Sequence, residues 1–309
     1  MSAGVMVFYS QMDDFEAWRA ALEPEGIVLA RADEIDDPLK VDYALAWKPP
    51  HNFFARFENL KLLVNLGAGV DALVGRTDLP DLPITRLSDP RMARMMAGFV
   101  LFAVTRYARD VQHFEKAQKE RRWHYIHPKD PSEITVAILG LGELGREASK
   151  ECARQDYRVL GWSRTAKTIE GVKCFHGSDT LAEVLSSSDI VVCMLPQTHE
   201  TDNMLDAATL GCMKPGASFI NVSRGSVVDE PALVAALQSG RIANATLDVF
   251  AKEPLPTDSP LWDMDNVLIT PHLASIALPA SAAKQIGENV RRLEAGLDVL
   301  SRVDPKRGY

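Results

Sequence analysis

Short apolar runs of strand length alternate along this chain with stretches whose apolar residues recur at helical spacing. In the first ninety or so residues, Val5–Tyr9, Tyr43–Trp47, Leu62–Leu66 and Ile84–Leu87 predict strands. Phe15, Trp18 and Leu22 predict a helix behind Asp13 as N-cap. From Arg91 to about Arg122 no proline intervenes, and Gly98 is the one weak point in what predicts a single long helix. Its first half is dense in apolar residues (Met92, Met95, Met96, Phe99, Val100, Phe102, Ala103), more than one helix–sheet contact requires. That surplus is expected in the core or against a second subunit.

A second alternation follows. Thr135–Leu139, Arg158–Trp162, Ile190–Leu195, Ser218–Val222, Ala245–Val249 and Val267–Ile269 predict strands, with helices such as Leu144–Arg154 and Asp229–Ser239 between them. A last helix is expected from Ala280 to about Leu300, carrying Ile286, Val290, Leu293 and Leu297. This βαβ rhythm predicts an α/β fold with doubly wound parallel sheets. If the last helix returns to the first domain, the chain crosses between domains near Ser88–Pro90 and Pro271–Pro279. The domains then span residues 1–89 plus 272–309, and 90–271.

A length of 309 residues suits two such domains, and a net charge of −8 makes nucleic acid and anionic membranes poor partners. The four cysteines show neither CxxC nor Cys/His metal spacing, so no metal site is expected. Cys152 and Cys193 fall in apolar patterns and read as buried, reduced thiols. With no twenty-residue apolar run and no basic leader before an apolar stretch, the expected compartment is the cytoplasm.

Gly140-Leu141-Gly142-Glu143-Leu144-Gly145 follows the β-branched run Val136–Leu139 and opens a helix. In that context a GxGxxG is a dinucleotide loop. The first glycine makes the turn, the second admits the pyrophosphate, and the third lets helix and strand pack. An NAD-selective site places an acid at the end of the next strand for the ribose 2′-hydroxyl. Here that position reads Ser163-Arg164-Thr165. A neutral serine removes the charge that repels a 2′-phosphate, and Arg164 offers a fork to bind one. NADP(H) is therefore the preferred cofactor, with NAD(H) as the alternative.

Three late phrases carry the chemistry: Arg224 in Asn-Val-Ser-Arg-Gly, Glu253 in Asp-Val-Phe-Ala-Lys-Glu-Pro, and His272 in Thr-Pro-His. Reducing a 2-keto acid needs a hydride at the carbonyl carbon and a proton at its oxygen. Arg224 can grip the neighbouring carboxylate bidentately. His272 can supply the proton, with Glu253 favouring the imidazolium and fixing the ring. The other histidines (His51, His113, His124, His127, His176, His199) read as structural or exposed.

These phrases resemble the D-isomer-specific 2-hydroxyacid dehydrogenase family over nearly the whole chain, most densely from Val136 to Ser275. The resemblance implies a Rossmann-type cofactor domain inserted in a flavodoxin-like substrate domain, and catalytic roles for Arg224, Glu253 and His272. It also implies that Leu66, Gly67, Ala68 and Gly69 offer backbone N–H groups to the substrate carboxylate. Leu195, Pro196 and Thr201 match a cofactor-lining segment, and Val222, Ser223 and Asp248 match positions near the nicotinamide. Homodimerisation through the cofactor domains is implied too.

Ala46-Trp47-Lys48-Pro49-Pro50, Gly161-Trp162-Ser163-Arg164 and the Arg307-Gly308-Tyr309 terminus look like the glyoxylate/hydroxypyruvate reductase A subgroup. Trp47 is then either a wall of the substrate pocket or a core residue. Two departures stand out. No acidic residue matches the family's near Ala97-Gly98, and Leu278 occupies a place where the subgroup often has arginine. An apolar residue there suits a larger or less polar substrate tail. The expected function is NAD(P)H-dependent reduction of a small 2-keto acid such as glyoxylate or hydroxypyruvate to the D-2-hydroxy acid. The alternatives are a dehydrogenase for a bulkier D-2-hydroxy acid, and a nucleotide-sensing regulatory protein.

Overall fold

Every ladder between the strands of both sheets is parallel. The computed structural model describes residues 4–73 and 75–304. It separates into a unit that runs up to Met92 and resumes at Ile276, and a second unit, Ala93–Ser275, between those segments.

The first unit holds β1 (Gly4–Tyr9), β2 (Ile27–Arg31), β3 (Val41–Ala46), β4 (Leu62–Asn65) and β5 (Ile84–Arg86), in the order β2-β1-β3-β4-β5. This is the flavodoxin-like order. Val7, Ala44, Leu63 and Ile84 are register partners across four strands and form one buried row. The helix Phe15–Leu22 buries Phe15, Trp18 and Leu22, and packs against the helix Pro279–Glu294. Its N-cap is Asp14, which accepts from the N–H of Glu16 and Ala17, whereas Asp13 accepts from Ser10.

The second unit holds β6 (Thr135–Leu139), β7 (Arg158–Ser163), β8 (Val172–His176), β9 (Ile190–Cys193), β10 (Ala217–Asn221), β11 (Ile242–Leu247) and β12 (Val267–Ile269). Their order is β12-β11-β10-β9-β6-β7-β8. The chain winds outward from β6 to β8, then returns to the other side of β6. The switch point therefore lies between β6 and β9, where doubly wound sheets bind ligands outside the carboxyl ends of their strands. Trp162, Leu139, Cys193, Asn221, Leu247 and Ile269 stand in one register row. After this row the chain leaves the sheet at that same edge: at Gly140, Met194, Val222, Asp248 and Thr270, and after Ser163, which still pairs with β8.

Besides the N-cap, three readings need correction. The long helix is two, Pro90–Ala108 and Val111–Lys119, because Asp110 adopts the left-handed conformation at φ 54°. Aspartate is one of the few residues that tolerates this. The last helix stops at Glu294, where Gly296 (φ 70°) turns the chain and the N–H groups of Gly296 and Leu297 return to Leu293 and Arg292. Leu297 is thereby left exposed. Strands β2 and β8, which pattern did not single out, form sheet edges. The Arg307-Gly308-Tyr309 terminus lies outside the described residues. Among the described residues no helix is long and apolar enough to cross a membrane.

Candidate active site

The loop after β6 tests each glycine separately. Gly140 has φ +104°, and a Cβ there would lie 2.5 Å from the Met194 carbonyl oxygen. A Cβ on Gly145 would lie 1.9 Å from the Gly140 oxygen, so the helix Glu143–Arg154 can approach its strand only with glycine at that place. Gly142 differs, since nothing lies within 4 Å of a Cβ there. Packing does not demand that glycine, but a pyrophosphate drawn against the backbone does. Gly142 is also the helix N-cap and makes no side-chain capping bond, which leaves the first N–H groups to an external acceptor. The loop fits a dinucleotide.

At the end of β7 the Ser163 hydroxyl is buried and donates to the Thr165 carbonyl at 2.8 Å, ordering the turn that presents Arg164. Arg164 is exposed, with Nη1 2.7 Å from Glu200 Oε2. After β9, Leu195 is buried and the Thr201 hydroxyl donates to the Pro196 carbonyl at 2.6 Å. Thr201 therefore staples the 196–201 loop to itself. After β10, Val222 and Ser223 are buried, and Ser223 donates through both N–H and hydroxyl to Asn221 Oδ1.

The three reacting candidates leave neighbouring strands. Arg224 follows β10, Glu253 follows β11 and His272 follows β12, so strands about 4.8 Å apart set their loops side by side. The Arg224 backbone is tied on one side by Asn221 Nδ2, which donates to its carbonyl at 3.2 Å. On the other side a Cβ on Gly225 would fall 1.9 Å from the Phe250 carbonyl carbon, so the Arg224 and Glu253 loops meet backbone to backbone. Glu253 then reaches both ways: Oε1 accepts from Phe250 N–H at 3.1 Å, and Oε2 lies 2.8 Å from His272 Nδ1. A carboxylate can only accept, so Nδ1 carries the hydrogen and Nε2 is the atom left for a substrate.

His272 sits at φ 55°, an uncommon place for a residue with a Cβ. Asp248 holds it there. This carboxylate is 1% exposed; Oδ1 accepts from the Thr270 hydroxyl at 2.6 Å and Leu273 N–H at 2.9 Å, and Oδ2 accepts from Ala274 N–H at 2.9 Å. The Asp248 carbonyl also takes the N–H of His272 at 2.8 Å. Asp248, which sequence matched to a position near the nicotinamide, commits its side chain to the histidine loop, and the two roles are compatible. The histidine-loop role has no local signature, because every partner lies more than twenty residues away. In Asp248→Asn the new amide turns a donor toward the N–H of Ala274 or Leu273. We expect a stability loss of about 1–3 kcal/mol by thermal unfolding. Turnover should fall about tenfold to a hundredfold through a displaced imidazole. An unchanged kcat would separate this carboxylate from the chemistry.

In the first unit, Trp47 follows β3 and its ring lies against Gly67, where a Cβ would come within 2.7 Å of it. Arg76 donates to the carbonyls of Pro49 and Pro50 at 2.6 and 2.9 Å while pairing with Asp78, both side chains being 10% exposed. The Arg76 guanidinium hydrogen-bonded to Asp78 holds its carboxyl well below the usual carboxylate range. Pattern gave no hint of this clamp on the 47–52 segment. Leu278, in the same unit, is the N-cap residue of the helix Pro279–Glu294.

Comparison with known proteins places these features in company. The family model for D-isomer specific 2-hydroxyacid dehydrogenase, NAD binding domain, matches residues 101–274. Glyoxylate/hydroxypyruvate reductase A of Serratia proteamaculans (strain 568) is 37% identical over 98% of this chain and 99% of its own length. A solved D-isomer specific 2-hydroxyacid dehydrogenase of Xanthobacter autotrophicus Py2, in complex with NADPH and MES, is 59% identical with a TM-score of 0.96, covering 99% of this chain and 100% of that one. An NADPH-dependent glyoxylate/hydroxypyruvate reductase of Sinorhizobium meliloti, in complex with NADP and sulfate, is 31% identical with a TM-score of 0.93, covering 99% of each chain.

Proposed function

Because this chain belongs to the D-isomer specific 2-hydroxyacid dehydrogenase family, we propose that it reduces a small 2-keto acid, glyoxylate- or hydroxypyruvate-like, to the D-2-hydroxy acid with NADPH. The observation that carries this is the His272–Glu253 pair at 2.8 Å, on the sheet edge that also bears the dinucleotide loop. Residues of the first unit serve as the substrate domain and the Ala93–Ser275 unit as the cofactor domain.

Arg224 grips the substrate carboxylate and draws electron density from the adjacent carbonyl. His272 donates its Nε2 proton to the carbonyl oxygen, and Glu253 balances the charge on the ring while fixing its orientation. Of the four loop residues, Leu66 and Gly67 donate their N–H groups to the carbonyls of Ala46 and Asn65, each at 2.9 Å, so Ala68 and Gly69 are the ones that offer N–H groups to a carboxylate, and Trp47 walls the substrate. Gly140, Gly142, Glu143, Leu144 and Gly145 take the pyrophosphate, Ser163, Arg164 and Thr165 the adenosine end, and Leu195, Pro196, Thr201, Val222 and Ser223 the rest of the cofactor. When bound, the reduced cofactor supplies the hydride.

The order of loops supports this layout. Along the carboxyl edge, β7 with Arg164 comes first, then β6 with the glycines, then β9 to β12 ending at His272. An extended dinucleotide matches that sequence of stations. The test is a screen of NADPH and NADH oxidation with glyoxylate, hydroxypyruvate, pyruvate and bulkier 2-keto acids. No turnover with any of them would sink the proposal.

The double variant Ser163→Asp with Arg164→Ala should weaken NADPH relative to NADH about tenfold to a hundredfold. That is the size expected for lost charge-assisted hydrogen bonds of about 1.5–3 kcal/mol. Titrating each cofactor into the variant reads this directly, and unaltered selectivity would remove Arg164 from the 2′-phosphate. The protein acts as a cytoplasmic homodimer joined through its cofactor domains. Phe102, Phe114, Trp123 and Tyr125 are exposed on and after the helices Pro90–Ala108 and Val111–Lys119, an aromatic surface that supports a buried interface. A monomer in sedimentation would overturn the dimer.

A further inference from the structure

One buried side chain of the first unit is aimed at the Gly67–Gly69 loop and has no counterpart in the roles above. Asn65, the last residue of β4, is 1% exposed, and its Nδ2 donates to the carbonyl oxygens of Gly67 at 3.0 Å and Gly69 at 2.8 Å. Its Oδ1 is buried with no hydrogen-bond partner. An amide flipped the other way would set oxygen against two carbonyl oxygens, so the donor pair fixes its orientation at the expense of a buried acceptor.

The consequence lies on the opposite side of each peptide. In a trans peptide the N–H points away from the C=O of the same unit. Drawing the Gly67 carbonyl toward Asn65 turns the N–H of Ala68 outward, and drawing the Gly69 carbonyl inward does the same for Val70. Among the described residues neither N–H meets an acceptor. Leu87 N–H donates to the Gly67 carbonyl at 3.1 Å and Leu66 N–H to Ala46 at 2.9 Å, so the ends of the loop are pinned independently of Asn65. Leu87 thus already holds the Gly67 carbonyl; what Asn65 adds is one donor shared with the Gly69 carbonyl, which fixes the direction of two alternate peptides of the loop relative to each other.

We propose that Asn65 is a positioning residue whose carboxamide turns the Gly67 and Gly69 carbonyls inward and thereby presents the N–H groups of Ala68 and Val70 to the substrate carboxylate. This rests on the reading of the loop as a carboxylate site. It adds Val70 to that site and names what shapes it.

The test uses the full-length protein with Asn65→Asp, nearly isosteric but with an acceptor facing both carbonyls, and Asn65→Ala, which removes both bonds. With glyoxylate the KM should rise about tenfold or more, the scale of losing hydrogen bonds that orient a charged ligand. By contrast kcat and the KM for NADPH should move less than about threefold. Calorimetric binding of oxalate to the NADP-bound protein, which needs no turnover, should weaken by the same factor. If the wild type binds oxalate but reduces no 2-keto acid, the proposed reaction falls while the oxalate comparison still decides the role of Asn65. Unchanged KM and unchanged oxalate affinity in a folded Asn65→Ala protein would overturn it. So would an equal loss of substrate and NADPH binding. Should the aspartate variant fail to fold, the alanine variant, checked by thermal unfolding, decides alone.

Discussion

Replacing His272 is expected to lower kcat about 10²–10⁴-fold, the usual worth of a positioned general acid, with the affinity for NADPH unchanged. The split follows from where the residue sits. Its imidazole is held at Nδ1 by Glu253 at 2.8 Å, while the cofactor glycines lie after β6, with β9, β10 and β11 between them and β12. Asparagine is the cleaner substitution. His272 occupies φ 55°, which asparagine tolerates better than alanine, so His272→Asn removes the proton donor with less strain in the loop. Both variants should lose turnover alike. If only alanine were impaired, the loss would be conformational. Glu253→Gln keeps an acceptor for Nδ1 but no charge, and its loss of kcat should be smaller than that of either histidine variant. Steady-state kinetics with glyoxylate and NADPH, with cofactor titration alongside, separates these outcomes; near-wild-type turnover in His272→Asn would end the proton-donor role.

How much of this was legible beforehand depended on how local each signal was. Strands such as β6, all five of whose residues are buried, announce themselves as continuous apolar runs. The family pointed to by the Asn-Val-Ser-Arg-Gly and Thr-Pro-His phrases is the one the comparisons return. Strands β2 and β8 pair on one side only and carry exposed positions among buried ones in β2 and half-buried ones in β8, as at Val28 and Lys173, so their periodicity is diluted. The break at Asp110 rests on a single left-handed residue inside an otherwise helical pattern. Asp248 was legible as a position near a motif, Asn65 and Arg76 were not singled out, and all three make contacts that only the fold brings close or orients. The phrases that carry Arg224, Glu253 and His272 could thus be read, while the residues that hold their loops could not.

Arg224→Lys should cost more than a conservative exchange suggests. Lysine keeps the charge but not the planar fork that meets a carboxylate through two parallel N–H bonds. The backbone beneath the side chain will not adjust to compensate. Asn221 Nδ2 grips the Arg224 carbonyl, Ser223 is buried and bonded to Asn221, and Gly225 abuts the Phe250 backbone too closely for a Cβ. A shorter, point-like cation on a fixed backbone therefore meets the substrate at the wrong place. Truncating one side of a hydrogen-bonded charge pair costs about 2–5 kcal/mol, or roughly thirtyfold to several thousandfold in kcat/KM. Arg224→Ala belongs toward the upper end of that range and Arg224→Lys toward the lower. Under the proposed role, in which the guanidinium also polarises the carbonyl in the transition state, kcat should fall together with a rise in KM for the keto acid. The KM for NADPH should stay within a few-fold. A lysine variant with wild-type kcat/KM for glyoxylate would show that the carboxylate is held elsewhere and that Arg224 belongs to the loop's structure.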